Sequence, residues 1–223
     1  MKKRFFQSLC LRLIYTVFLR WFLKIVVGVR FDDCAFLKQE KQFILLANHN
    51  SHLDTISLLA SLPGKIIWKV KPVAAEDYFG NTKSKAAFSN YFINTLLIKR
   101  KSTKEERDHP IKKMVDALDA GYSLLLFPEG TRGTPERPGE MKSGIGRILS
   151  LRPHIRYVPV YLNGMGRSLP KGELLLLPYN SSVNYGKPTL AGGSGPEEIM
   201  QQITADFEAM RLKYQSKVST EED

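Results

Sequence analysis

"QFILLANHNSHLDTISLLASLPGKIIWKV", residues 42–70, is the stretch whose reading decides the fold. It starts with "QFILLAN" (42–48), whose continuous apolar run, 43–47, is of the kind a fully buried strand shows. From His52 to Leu62 the apolar residues fall at helical spacing, and Pro63-Gly64 ends the helix. "KIIWKV" (65–70) then reads as a second strand. Between strand and helix stands a polar cluster: Asn48, His49, Asn50, Ser51, His52 and Asp54.

The same alternation continues outward. "NTLLIK" (94–99), "YSLLLF" (122–127), "IRYVPVYL" (155–162) and "SSVNYGKP" (181–188) read as further strands. "HPIKKMVDALDAG" has Pro110 near its start and Gly121 past its end, the usual asymmetry of a helix. A last helix opens at Pro196-Glu197-Glu198 and places Ile199, Ile203, Phe207, Met210 and Tyr214 on one face. The expectation is an α/β fold: residues 31–223 form a single domain with a central, mostly parallel mixed sheet flanked by helices. Sites in such sheets gather beyond the strand ends. "ANHNSHLDT" and "FPEGTRG" both follow strands, so the two clusters are expected to meet at one edge.

With 223 residues, 43% of them hydrophobic, the chain can bury one sizeable core. Its two cysteines, Cys10 and Cys34, exclude a disulfide framework and a four-cysteine zinc site, and favour a reducing compartment. Seven of the eleven excess positive charges lie in residues 1–30, as Lys2, Lys3, Arg4, Arg12, Arg20, Lys24 and Arg30. Charge-free runs there reach only seven residues, Phe5–Leu11 and Leu13–Leu19, whereas a spanning helix needs about 20 apolar positions. Arg12 also breaks the apolar region that a signal peptide would need. Ser8, Arg12, Thr16, Arg20 and Lys24 recur every fourth residue, and Phe, Leu, Ile, Trp and Val fill the rest. Residues 1–30 therefore read as an amphipathic helical segment that associates with an anionic membrane surface, its arginines reaching headgroups. A helix packed on the protein's own core gives the same pattern. Nucleic acid is not an expected partner, because the aromatics lie on the apolar side rather than in a basic groove.

Each cluster admits more than one chemistry. Ser51 fits an N-cap and Asp54 the N3 position of a helix starting at His52. His49 stands in the entry loop, where Asp54 can hold one ring nitrogen and leave the other to take a proton. His49, His52 and Asp54 also make a conceivable metal set for a hydrolase. In the second cluster, Gly130 permits an unusual backbone angle or a close ligand approach. Arg132 can grip a phosphate with two parallel hydrogen bonds, Thr131 adds a hydroxyl, and Lys142 adds charge beside a helix start. Glu129–Arg132 as an ordinary turn with a surface ion pair is the plain alternative.

Taken together, "NHNSHLD" and "FPEGTRG" resemble the N-H-x-x-x-x-D and F-P-E-G-T-R motifs of the glycerophospholipid acyltransferase family. "LLIKR" (96–100) and "VPVYL" (158–162) are similar to two later blocks, so the resemblance runs over roughly 40–190. It implies acyl transfer from acyl-CoA or acyl-carrier protein to the free hydroxyl of 1-acylglycerol-3-phosphate or a related lysophospholipid. No cofactor and no covalent enzyme intermediate are implied. His49 corresponds to the general base and Asp54 to its orienting partner. Glu129, Gly130, Thr131 and Arg132 correspond to the acceptor-binding motif, with Arg100 as a second phosphate contact. His52 occupies a variable position of the motif. Three places depart from the pattern: Lys99 stands where an acidic residue is frequent, Asn94-Thr95 where glycine is, and "AAEDYF" (74–79) lacks the usual lysine. The expected location is peripheral, on the cytoplasmic face of a membrane. A catalytically silent lipid-binding module would share the fold.

Overall fold

The computed structural model describes residues 2–79, 82–99, 108–133, 139–169, 176–193 and 195–219. The chain opens with a helix that changes pitch. It runs through α1 (Lys2–Leu13), a π stretch (Ile14–Leu19), α2 (Arg20–Phe22) and a second π stretch (Leu23–Val27). Gly28, at φ 83°, closes it. Next come β1 (Val29–Phe31), a 3-10 turn (Ala35–Lys38), β2 (Phe43–Ala47), α3 (Leu53–Ser61) and a second 3-10 turn (Ile67–Lys69). β3 (Val70–Ala75), α4 (Glu76–Phe79), α5 (Lys83–Phe92), β4 (Leu96–Ile98), α6 (Asp108–Asp119) and β5 (Ser123–Leu126) follow. The chain ends with α7 (Gly144–Leu151), β6 (Arg156–Asn163), α8 (Met165–Ser168), β7 (Ser181–Tyr185), β8 (Thr189–Leu190) and α9 (Pro196–Ser219).

The strands form one mixed, mostly parallel sheet in the order β1-β7-β6-β2-β5-β3-β4, with β8 added against β6. β6 is antiparallel to β7 and β8, and the other pairings are parallel. β2 lies centrally, with Leu46 level with Leu126 of β5 and Pro159 of β6. All five of its residues are buried, as its apolar run predicts. Alternate side chains enter two cores. Phe43, Leu45 and Ala47 pack towards α3 and the N-terminal helix, while Ile44 and Leu46 pack towards α6, α7 and α9. Each such leucine contributes about 1.5–3 kcal/mol of burial.

The N-terminal helix has two apolar faces. Leu11, Tyr15, Leu23 and Val27 sit in the same core as Leu58, Leu59 and Leu62. Their four-residue spacing outruns the 3.6-residue period of an α-helix, and the two π stretches absorb the difference. Phe5, Phe6, Phe18, Trp21 and Ile25 face outward, each 60–71% exposed. Packing on the protein's own core and presenting an apolar face are therefore compatible here. No described helix is long and apolar enough to cross a membrane.

Two expectations need correction. The strand expected at 65–70 starts only at Val70. After Pro63-Gly64 the chain turns twice, with the Ile66 N–H on the Pro63 carbonyl and the Lys69 N–H on the Ile66 carbonyl, both at 3.0 Å. Ile66 and Ile67 thus reach the core from turns, which an apolar count cannot distinguish from a strand. The helix expected from His52 is α3, one residue shorter at each end, and His52 itself makes no side-chain cap.

Candidate active site

β2, β3, β4 and β5 are mutually parallel and β2 is parallel to β6, so their carboxyl ends share one edge. There the loop from Asn48 to His52 meets the loop that starts at Phe127. Asn48 fixes the first loop. Its Nδ2 donates to the Leu162 carbonyl at 2.9 Å, and its Oδ1 accepts the Leu162 N–H at 2.7 Å.

Asp54, in the first turn of α3, is fully buried. Its Oδ2 accepts the N–H of Asn50 at 2.6 Å and of Ser51 at 2.8 Å. The same oxygen lies 2.8 Å from His49 Nδ1. An ionised carboxylate only accepts, so Nδ1 carries the proton and Nε2 keeps its lone pair. Ser51 Oγ accepts the Leu53 N–H at 3.2 Å and donates to the Leu169 carbonyl at 2.9 Å. The capping reading and the base-orienting reading are therefore both realised. One carboxylate caps the helix start and holds the imidazole, which ties ring orientation to helix geometry.

The second loop supports the first. The His49 ring stacks on Phe127, with centroids 4.0 Å apart and planes at 18°. The His49 carbonyl accepts the Gly133 N–H at 2.9 Å, and the His49 N–H donates to Glu129 Oε1 at 3.4 Å. Glu129 Oε2 is buried against Gly139 and, among the described residues, has no partner in ordinary hydrogen-bond geometry. Burial raises the Glu129 pKa, against opposing contributions from the His49 N–H and the His49 ring. Gly130 takes φ 70° and donates its N–H to the Phe127 carbonyl at 2.9 Å. The close approach at Gly130 is by Lys142: an added Cβ would meet its Nζ at 2.6 Å.

Thr131 is exposed, Arg132 half-buried and Lys142 exposed. An Arg132 guanidinium nitrogen lies in hydrogen-bond contact with His52 Nε2. Burial, then the Arg132 charge, lowers the His52 pKa, so this imidazole is neutral and accepts from Arg132. His52 thus sides with the second loop rather than with Asp54. Among the described residues no three His, Cys, Asp or Glu side chains are placed to hold a metal, so His49, His52 and Asp54 do not converge as a ligand set. Arg100 lies outside the described residues.

A cavity of about 830 Å³ opens beside the two loops. Asn48, Asn50 and Glu129 reach it from the loops, and Tyr161, Met200 and Phe207 supply apolar wall from β6 and α9. Sequence reasoning missed the α9 wall, whose inward residues read only as core. It also missed the Phe127 platform, although Phe127 stands within the quoted motif.

Residues 28–163 match the protein family described as Acyltransferase. The 1-acyl-sn-glycerophosphate (LPA) acyltransferase of Thermotoga maritima shares the fold. Its TM-score is 0.71 at 17% identity, covering 95% of this chain and 96% of that one. The 1-acyl-sn-glycerol-3-phosphate acyltransferase of Pseudomonas aeruginosa is 24% identical over 182 residues, 81% of this chain and 67% of that protein. A protein of Dictyostelium discoideum named Taffazin is 29% identical over 147 residues, 60% of this chain and 50% of its own length. The chloroplastic 1-acyl-sn-glycerol-3-phosphate acyltransferase of Arabidopsis thaliana is 29% identical over 146 residues, 65% of this chain and 38% of its own length. The chain thus spans half or less of these last two relatives. The family match takes in more than half of this chain and ends at the last residue of β6: the chain belongs to the acyltransferase family.

Proposed function

We propose that the chain transfers an acyl group from acyl-CoA or acyl-carrier protein to the free hydroxyl of a lysophosphatidate-like acceptor. The observation that carries this reading is the 2.8 Å contact between His49 Nδ1 and the buried Asp54 carboxylate. That contact leaves Nε2 as a base of fixed orientation. The names of the Pseudomonas and Arabidopsis relatives supply the acceptor class.

Nε2 takes the hydroxyl proton as the acceptor oxygen attacks the thioester carbonyl carbon. Asp54 stabilises the imidazolium formed, as the carboxylate of a serine-protease triad does. The tetrahedral intermediate collapses with cleavage of the carbon–sulfur bond, and the thiolate recovers the proton from Nε2. The products are an ester and a free thiol, with no enzyme-bound acyl group. Arg132 receives the acceptor phosphate, with Lys142, packed against Gly130 of the same loop, adding charge. His52, neutral and touching the guanidinium, helps to hold Arg132 in place.

The outward apolar face of the N-terminal helix supports a peripheral position at the cytoplasmic face of a membrane, where such an acceptor resides. Thiol release from both donor types over a panel of lysolipids tests the reading. Lysophosphatidate should be acylated well above its phosphate-free analogue. Equal rates on the two would assign another acceptor class, and no release with any acceptor would end the proposal.

A further inference from the structure

At the opposite end of the sheet two cations meet. A cavity of about 220 Å³ opens among α1, β3, α5 and the start of β5. Arg4 and Lys71 line it together with Tyr122, Asn90 and Asn94. The Lys71 ammonium stands 4.5 Å from the Tyr122 ring centroid. The Arg4 guanidinium is 5.8 Å from the same centroid and contacts the phenol oxygen. Among the described residues neither cation has a carboxylate within ion-pair distance. Burial and the Arg4 charge both lower the Lys71 pKa, so bringing the two cations together costs free energy.

The arrangement is held in place by one residue. Asn94 is buried and adopts φ 58°, an angle that asparagine tolerates better than other side chains except glycine. Its Nδ2 donates to the Trp68 carbonyl at 2.8 Å and the Val70 carbonyl at 2.9 Å. Those bonds aim Oδ1 at Lys71 Nζ, 3.0 Å away. Trp68, 45% exposed, lines the cavity, and Gln7 on its α1 wall donates to the Asn90 carbonyl at 2.8 Å.

We infer that Arg4, Lys71 and Asn94 build a phosphate-binding site, separate from the active site, that takes a phosphate-bearing lipid headgroup at the membrane surface. A phosphate oxygen there meets a guanidinium fork on one side and an ammonium on the other, and relieves their repulsion. Tyr122 stands just before β5 begins, and the loop of the Arg132 motif starts after β5 ends at Leu126, so the two anion sites sit at opposite ends of that strand. The headgroup as source rests on the peripheral-membrane reading above, whereas the phosphate chemistry does not.

The full chain carrying Trp21→Phe leaves Trp68, in the cavity wall, as its single tryptophan. Titration with inorganic phosphate should give a saturable change in Trp68 fluorescence. Arg4→Gln, Lys71→Gln and Asn94→Gly should each abolish it. Asn94→Gly preserves both charges and suits the positive φ, so it tests the geometry rather than the net charge. In the second arm, vesicles of phosphatidylcholine with phosphatidate should lose roughly fivefold in affinity with either charge variant. The double variant should be no weaker than the worse single one, since both cations hold one phosphate; independent charges would multiply to roughly 25-fold. A flat Trp68 titration in the reference chain, or variants that respond as it does, would overturn the site whatever the vesicles do. A lost phosphate response with unchanged vesicle binding would overturn the headgroup as source and leave a site for soluble phosphate esters. Weak vesicle binding by every chain, with the phosphate response intact, would count against the membrane reading alone and support the site.

Discussion

The loop after β2 and the loop after β5 meet at one sheet edge but are built differently. The first is tied inward: Asn48 to β6, Ser51 to the Leu169 carbonyl, and Asp54 to two N–H groups and the His49 ring. The second is held by backbone bonds at its base and leaves Thr131 and Lys142 exposed and Arg132 half-buried. A base must keep its geometry to well under an ångström as charge develops, which burial and converging bonds provide. A phosphate clamp must admit and release an anion, which exposure allows. The difference teaches that changes in the first loop should fall on kcat and changes in the second on KM.

The comparison breaks first at Asp54. Asp54→Asn removes the charge that stabilises the imidazolium and, where its NH2 faces Nδ1, favours the wrong tautomer. Steady-state thiol release should show kcat down by roughly 10²–10⁴, with KM for the acceptor little changed. A loss confined to KM would erase the division between the loops.

Arg132→Ala comes next. It removes a charge-assisted contact worth about 1.5–3 kcal/mol, so KM for a phosphate-bearing acceptor should rise roughly 10- to 100-fold, with kcat nearly constant. An unchanged KM would move the phosphate elsewhere, Arg100 being the first candidate.

The smallest effect is on pH-dependent stability. The folded His52 pKa lies below 6.5, so the unfolded chain binds protons more readily through that window. The contribution is complete above 6.5 and is lost as pH falls through the lowered folded value. Thermal unfolding between pH 5 and 7 should therefore show a smaller loss on acidification for His52→Asn than for the parent. An identical slope in both would mean that the fold does not lower the His52 pKa.

Much of this division was legible in the sequence, for physical reasons. β2 announced itself because five consecutive buried apolar residues have few other homes, and Ser51 with Asp54 carries a local capping signal. Gly130 marked a position open to an unusual backbone angle or a close ligand approach, and it adopts φ 70°. The rest depended on distance along the chain. His52 looked like a bystander because Arg132 lies 80 residues away, and Arg4 looked like one of many N-terminal charges because Tyr122 lies 118 away. β1 was hidden within the basic segment, where Val29–Phe31 is too short to show a period. The turns at Ile66–Lys69 mimicked a strand because both bury the same isoleucines.

His49 tests the central claim most directly. Purified His49→Ala, given acyl-CoA and lysophosphatidate beside the parent chain, should retain its fold by circular dichroism and release thiol roughly 10²–10⁴ more slowly. Transfer near the parent rate would contradict the assignment of His49 as the base.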